Sequence, residues 1–436
     1  MIKLQLLQKI LRLMAVMVLK KYSPKIVGVT GSVGKTSAKE AIFAVLAGNF
    51  RARRNEKNYN NEIGIPLTII GAASGGRSIF GWLKVFCKWA AAMLLPFEYP
   101  EILVLEMGAD RPGDLKYLTD FVKLEIGVLT DVSASHLEFF KNLEGVAKEK
   151  WTIIKTLDEK GLAVINVDNS NIASLKDQAR SRLISVGFSK EAEMQATDPA
   201  FVYSDEEGVE IKGMSFKLNY RGTSIPVRLN NVLARHQIYP ALFAVAVGTW
   251  FGLNLVEIGT ALENFSPPCG RMNLIPGIKK TLIIDDTYNA SPASTGAALE
   301  TLGEITAPRK IAVLGDMLEL GGETEMLHRK AAQKFLEIGG DLIFLVGKRM
   351  QFAAEELLKN NFPKPARNAA YSAAGGDNIF SFKDPMAAGR KLQEIVREGD
   401  LILVKGSQGM RMEKIVEEIM AHPQKAGKLL CRQNPG

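Results

Sequence analysis

Cysteine is scarce: Cys87, Cys269 and Cys431 are the only three in 436 residues. Odd in number and far apart, they make neither a disulfide framework nor a zinc-ligand cluster, and a reducing, cytoplasmic compartment is expected. No stretch is apolar over the ~20 residues that a bilayer span requires. The first 22 residues come nearest, but Lys9 and Arg12 interrupt them, Lys20 and Lys21 close them, and no small-residue cleavage site follows, so a secretory signal is not expected. Internal repeats and low-complexity tracts are missing too, which excludes solenoid, fibrous and disordered classes. Neither sign of charge dominates: Lys+Arg number 55 and Asp+Glu 47, a surplus of 8. Such a mild surplus suits an anionic substrate, a membrane surface or a nucleic acid.

What is present is an ordinary globular balance, 47% apolar and 23% charged, in a chain long enough for two or three domains. Continuous β-branched runs at 25–30, 102–106, 126–130, 162–167, 282–285, 310–314, 342–346 and 401–404 alternate with helical patterns. Strands of this kind belong to parallel sheets covered on both faces. A polar, alternating stretch at 196–229 reads as a small antiparallel subregion. Adjacent prolines in Phe265-Ser-Pro-Pro-Cys-Gly270 cannot continue a helix, and the boundary between two α/β domains is expected there. The segments 1–24 and 79–97 read as basic amphipathic helices, either packed on their own domain or lying on an anionic membrane. The tail, 423–436, reads as frayed.

The strongest motif is Gly28-Val-Thr-Gly-Ser-Val-Gly-Lys-Thr36, between a predicted strand and a helical run through Ala38, Ala41, Ile42 and Val45. That context suits a phosphate cradle. Glycines turn backbone N–H groups toward the phosphates, the helix N-terminus adds positive potential, Lys35 reaches the β/γ oxygens and Thr36 can hold Mg²⁺. Val29 stands where the strict spacing demands its first glycine, so the fit is to the variant Thr30-Gly-Ser-Val-Gly-Lys-Thr36.

Glu106 ends a buried strand, where a carboxylate points into the ligand crevice of an open α/β sheet; it is a candidate Mg²⁺ ligand or a loop cap. His136 follows another strand in Ser135-His-Leu-Glu138, and by composition alone a structural hydrogen bond is the commoner role of such a histidine. Lys150, fourteen residues on, reads by itself as a solvated helix residue.

Taken together, Thr30–Thr36, Asn58-Tyr-Asn-Asn-Glu-Ile-Gly-Ile-Pro66, Glu106-Met-Gly-Ala109, Ser135–Glu138 and the Lys148/Lys150 helix resemble the central domain of the Mur ligases, ATP-dependent amide ligases of peptidoglycan synthesis. Gly270-Arg-Met272, Ile284-Asp-Asp-Thr-Tyr-Asn-Ala-Ser-Pro292, Leu314-Gly-Asp-Met-Leu-Glu-Leu-Gly321 and Val404-Lys-Gly-Ser-Gln-Gly-Met-Arg-Met412 resemble its C-terminal domain, in the branch that adds D-alanyl-D-alanine. The resemblance implies a P-loop central domain (25–268) with a mostly parallel sheet, and a Rossmann-like C-terminal α/β domain (269–422). It implies ATP bound by Thr30, Gly31, Ser32, Val33, Gly34, Lys35, Thr36 and Ser37, with Arg271, Asp286, Tyr288 and Asn289 at phosphate and ribose. Two Mg²⁺ sites would be held by Thr36, Glu106, His136 and Lys150, the last as a CO₂-derived carbamate. Lys35, His136, Lys150 and Arg271 would be the catalytic group. Asn60, Asn61, Asp316, Lys405 and Ser407 would face the substrates, a muramoyl tripeptide and D-Ala-D-Ala, joined through an acyl phosphate. A cytoplasmic monomer with no nucleic-acid partner is expected, in contact with the inner face of the membrane through its two basic helices.

Two departures stand out. The family's N-terminal domain for the UDP end of the substrate has no counterpart in the 24 residues before the first strand. The family's His-Asn-x-x-Asn element, expected at adenine, reads His236-Gln-Ile-Tyr-Pro240, and proline has no side-chain amide. Two other readings stay open: a related ligase acting on a lipid-linked muropeptide, a polyglutamate or a pseudomurein-type peptide, and a non-catalytic P-loop binding module.

Overall fold

Nine strands build the first sheet among the described residues: β1 (Lys25–Thr30), β2 (Ala52–Arg54), β3 (Ile102–Glu106), β4 (Ile126–Leu129), β5 (Leu162–Asn166), β6 (Arg182–Gly187), β7 (Met194–Tyr203), β8 (Ile211–Tyr220) and β9 (Thr223–Asn230). Their order is β2-β3-β1-β4-β5-β6-β7-β8-β9, in the computed structural model, which describes residues 2–56, 59–133, 137–140, 142–204, 211–360, 362 and 378–431. The strands from β2 to β7 pair in parallel. β8 and β9 form an antiparallel hairpin, turned at Arg221 and Gly222, whose φ angles of 49° and 78° are those of a left-handed two-residue turn.

β1 lies between β3 and β4, and the register sets Val29 beside Glu106 and Thr30 beside Leu129. The carboxyl ends of three neighbouring strands therefore stop at one level, where an open parallel sheet gathers its ligand residues. Each of the three is buried along nearly its whole length, which explains their unbroken apolar runs. Helix α2 (Lys35–Ala47) leaves the β1 loop and buries Ala38, Ala41, Ile42 and Val45 at helical spacing. A nearly all-apolar helix, Ile238–Trp250, packs against it.

Helix α1 (Ile2–Tyr22) also belongs to this unit. Leu11, Met14, Ala15 and Val18 are fully buried or nearly so, on one face, against α3 (Gly64–Ile70) and α4 (Ile79–Leu94).

The second unit begins at Pro267 and takes in Asn231–His236 as well. Its strands are β10 (Asn273–Pro276), β11 (Leu282–Asp286), β12 (Lys310–Gly315), β13 (Leu342–Val346), β14 (Ile379–Phe382) and β15 (Leu401–Lys405). They run in the order β10-β11-β15-β12-β13-β14, with β10 antiparallel and the other pairs parallel. Of the tail expected to fray, the described part, 423–431, is anchored: Ala426 and Leu430 insert into this unit's core; residues 432–436 lie outside the described residues.

At the entry to β12, Arg309 grips Asp400 with two bonds, Nε to Oδ1 at 2.9 Å and a terminal nitrogen to Oδ2 at 2.6 Å, and both side chains are buried. Arg309→Met leaves that carboxylate out of water without its counter-charge, with only the Arg397 N–H still donating to it. It is expected to lower the unfolding free energy by about 3–5 kcal/mol in urea denaturation, and a loss near zero would show that solvent reaches the pair.

Candidate active site

The phosphate loop is shaped by the end of β4. Gly31 lies at φ 154°, and a Cβ there would sit 2.0 Å from Thr130 Oγ1 and 2.9 Å from the Asp131 backbone nitrogen, so only glycine fits. Gly34, at φ 85°, caps α2 in the left-handed region. Thr130 Oγ1 donates to the Val33 carbonyl at 2.6 Å, and Ser32 N donates to the Asp131 carbonyl at 2.8 Å. Ser32 Oγ both donates to the Ser133 carbonyl and accepts from the Ser133 N–H. The loop is thus fastened before any ligand arrives, a preorganised cradle at a helix N-terminus. Lys35 Nζ donates to the Gly31 carbonyl at 2.7 Å and to that of Ser32 at 3.4 Å, so its ammonium lies over the loop. Thr36 and the buried Ser37 follow in the first turn of α2.

Beside the loop, Glu106 is buried. Its Oε1 accepts Asn60 Nδ2 at 3.3 Å, while Oε2 is sealed from solvent with no hydrogen-bond partner among the described residues. A buried carboxylate oxygen without a partner is costly, and at the end of a P-loop sheet it is the donor that a hard cation takes. The chemistry of the set therefore fits Mg²⁺: the Thr36 hydroxyl and the Glu106 carboxylate. No group of three His, Cys, Asp or Glu side chains suited to a metal occurs among the described residues, and His136 lies outside them. Asn61 is turned to another task, its Oδ1 accepting the Ile63 and Gly64 N–H groups at the start of α3. Glu106→Gln keeps the shape and the Asn60 contact while removing the charge. The Mg²⁺ concentration needed for half-maximal nucleotide binding is expected to rise on the order of 10- to 100-fold, and an unchanged requirement would remove Glu106 from the metal site.

Lys150 is the least ordinary group. It is 1% exposed, on the helix Leu143–Lys155, not solvated as its sequence alone suggests. Burial first, then the Lys35 ammonium, pull its pKa down to about 7, against the attraction of Asp131, Asp110 and Glu149. An amine in that range is about half unprotonated at neutral pH, and in that form it is nucleophilic. Asp131, not singled out from the sequence, is the counter-charge here. Its carboxylate accepts Ser133 Oγ at 2.6 Å and Asn169 Nδ2 at 2.8 Å, and burial raises its pKa. Asn55, also missed, fixes the strand end: its Oδ1 accepts the Glu106 N–H and its Nδ2 donates to the Glu106 carbonyl. The one available signal for Asp131 is an acid directly after a buried strand.

In the second unit a separate cluster forms at the carboxyl ends of β11 and β15. Asp286 Oδ2 meets Lys405 Nζ at 2.5 Å, and the same ammonium donates to the Asn289 carbonyl at 2.9 Å. His236 lies in the field of this pair, and burial lowers its pKa to about 4, so it is neutral. The Arg271 guanidinium lies 4.3 Å over the Tyr288 ring, and the Tyr288 N–H donates to the Gly270 carbonyl at 3.1 Å. Ser407 Oγ donates to the Ala290 carbonyl and accepts the Leu318 N–H. Asp316 is committed to its own domain, Oδ1 accepting the Arg349 and Met350 N–H groups at 2.9 and 3.0 Å. It shapes the β12 loop rather than presenting a free carboxylate.

A P-loop at the middle of a parallel sheet, a cation-ready carboxylate and a second α/β unit with its own polar cluster define a nucleotide-binding protein of the P-loop class. Residues 89–248 match the Mur ligase middle domain, and residues 270–408 the domain described as Mur ligase, glutamate ligase domain. The chain is 30% identical to the UDP-N-acetylmuramoyl-tripeptide–D-alanyl-D-alanine ligase of Escherichia coli K12, over 93% of this chain and 79% of that protein. It is 29% identical to the enzyme of the same name from Bacillus subtilis 168, over 93% and 78%. The MurF ligase of Thermotoga maritima, solved in complex with ADP, superposes with a TM-score of 0.76 at 24% identity, over 97% of this chain and 84% of that one. The chain belongs to the Mur ligase family.

Proposed function

We propose that this chain is an ATP-dependent amide ligase that joins D-alanyl-D-alanine to the terminal carboxylate of a muramoyl tripeptide, in the cytoplasm at the inner face of the membrane. The observation that carries the reading is the meeting, at the ends of β1, β3 and β4, of a fastened phosphate loop, a carboxylate with an unpartnered oxygen and a buried, half-neutral lysine. A binding switch has no use for such a lysine, nor for Arg271 and Asp286 on a second unit.

Lys35 and the loop amides neutralise the ATP phosphates as a carboxylate oxygen of the peptide attacks the γ-phosphorus. ADP leaves and an acyl phosphate remains. The amine of D-Ala-D-Ala then attacks the acyl carbon, loses a proton, and phosphate is expelled. The protein contributes positioning and charge neutralisation. Mg²⁺ on Thr36 and Glu106 would supply further neutralisation of the phosphate oxygens. Carbamylation of Lys150 joins its nitrogen to the carbon of CO₂ with loss of one proton, which turns a group that cannot ligate a cation into an anionic oxygen donor. His136, with that carbamate, would hold a second ion. Arg271, Asp286, Tyr288 and Asn289 serve the nucleotide; Asn60, Lys405 and Ser407 serve the peptide and the dipeptide, with Asn61 fixing the start of α3 and Asp316 holding the β12 loop.

The test is phosphate release measured across muropeptide acceptors, with and without D-Ala-D-Ala, with mass spectrometry of the product. Release that depends on both a muramoyl tripeptide and D-Ala-D-Ala, with a mass gain of one dipeptide, is expected. Equal release without D-Ala-D-Ala, or ligation of another amine only, would reject the assignment.

A further inference from the structure

Helix α4 is apolar on two faces. Val85 and Ala92 are buried, and Val85, with Trp82 and Trp89, packs against Leu11, Met14 and Leu67. On the other side Ile79, Leu83, Phe86 and Leu94 recur at helical spacing and stand in solvent, Ile79 at 84%, Leu83 at 56% and Leu94 at 82% exposure. Phe80, Leu95 and Phe97, on the helix and just after it, are exposed as well. The neighbouring α1 repeats the pattern: behind its buried face, Leu6, Leu13 and Met17 are exposed. The two helices are tied by Trp89 Nε1 donating to the Met14 carbonyl at 3.2 Å and by Lys21 Nζ donating to the Ala92 and Met93 carbonyls. An exposed apolar stripe of this extent on a packed helix marks a surface that something covers.

Charge says what. No Asp or Glu occurs before Glu40, nor between Glu62 and Glu98. Over the same stretches Lys9, Lys20, Arg77 and Lys84 are exposed. The flanking acids are engaged: Glu62 accepts Gln8, and Glu98 and Glu101 face Arg51. A second copy docked through a two-fold axis would set these cations against themselves, whereas an anionic bilayer takes apolar side chains below its headgroups and the lysines among them. No helix of the described residues is long and apolar enough to cross a membrane, so contact is with the surface.

We propose that the outer faces of α1 and α4 dock this protein on an anionic lipid surface. The inference stands apart from the ligase reading and needs no turnover to test. Deleting α1 is unsuitable, because Leu11, Met14, Ala15 and Val18 are core. The full chain and the double variant Leu83→Glu/Leu94→Glu are instead co-sedimented with phosphatidylcholine vesicles and with vesicles holding about 30% phosphatidylglycerol. Melting temperature and light scattering check fold and mass. The full chain is expected to favour the anionic vesicles by about tenfold or more, and the variant to lose that binding while keeping its melting temperature. Negligible binding to both vesicle types would overturn the proposal. So would binding that survives the double substitution, or a dimer that the substitution splits.

Discussion

Lys150→Ala is expected to abolish turnover, by on the order of 10²- to 10³-fold or more, while the melting temperature stays level or rises. The reasoning is local. The lysine is buried on a helix that also buries Val146, Ala147, Trp151, Ile153 and Ile154, where a bare ammonium gains nothing from burial. Its removal relieves a desolvated charge and opens a small polar space next to Asp131 and Lys35. If the working form is the carbamate, acetate or formate can enter that space and restore part of the lost anionic oxygen. Phosphate release measured with and without added carboxylate decides the matter. Near-normal activity of the alanine variant without any additive would remove the carbamate from the mechanism.

Lys35→Ala is expected to weaken ATP binding by on the order of 10²-fold, about 2.7 kcal/mol, read by calorimetry with a non-hydrolysable analogue. Lys35→Arg is expected to restore little, since a planar fork cannot replace a point charge lying over the Gly31 and Ser32 carbonyls. There is a second loss. The Lys35 ammonium is one of the two causes that hold the Lys150 pKa down; without it, Lys150 takes up its proton more readily and loses nucleophilicity. The alanine variant is therefore expected to respond less to added bicarbonate than the parent. An unchanged affinity for the analogue would dismiss Lys35 as the phosphate contact.

The phosphate loop was legible because its chemistry constrains residue type at fixed spacing: Gly31 and Gly34 take backbone conformations that other residues resist. Glu106 was legible because an ionisable group ending five buried positions is conspicuous. Long apolar strands were read for the same reason. β2, with three residues, two of them arginine, and β6 and β14, with partly exposed positions, carry too little apolar signal to separate from loop. Asp131 and Asn55 escaped because their roles lie in contacts made across the sheet, with Asn169 and Glu106, which no local pattern announces. Lys150 looked solvated because helical position alone does not tell which face of Leu143–Lys155 meets the sheet. α4 left two readings open, packed or membrane-facing, because its sequence is apolar almost all round; Trp89 donates to the Met14 carbonyl on the packed side, while Ile79, Leu83 and Leu94 stand exposed on the other.

The burial of α1 has a consequence for how the protein is made. Its inner face, Leu11, Met14, Ala15 and Val18, packs against side chains from 65 to 85, among them Ile65, Leu67 and Val85. At roughly 5–20 residues per second, a ribosome adds those partners only several seconds after α1 has been polymerised. During that interval a helix with apolar residues on two sides has no protein to cover either of them. Whatever meets nascent apolar helices first, a chaperone or the inner leaflet itself, has that window in which to hold it, and synthesis close to a membrane would deliver the finished chain already at its surface.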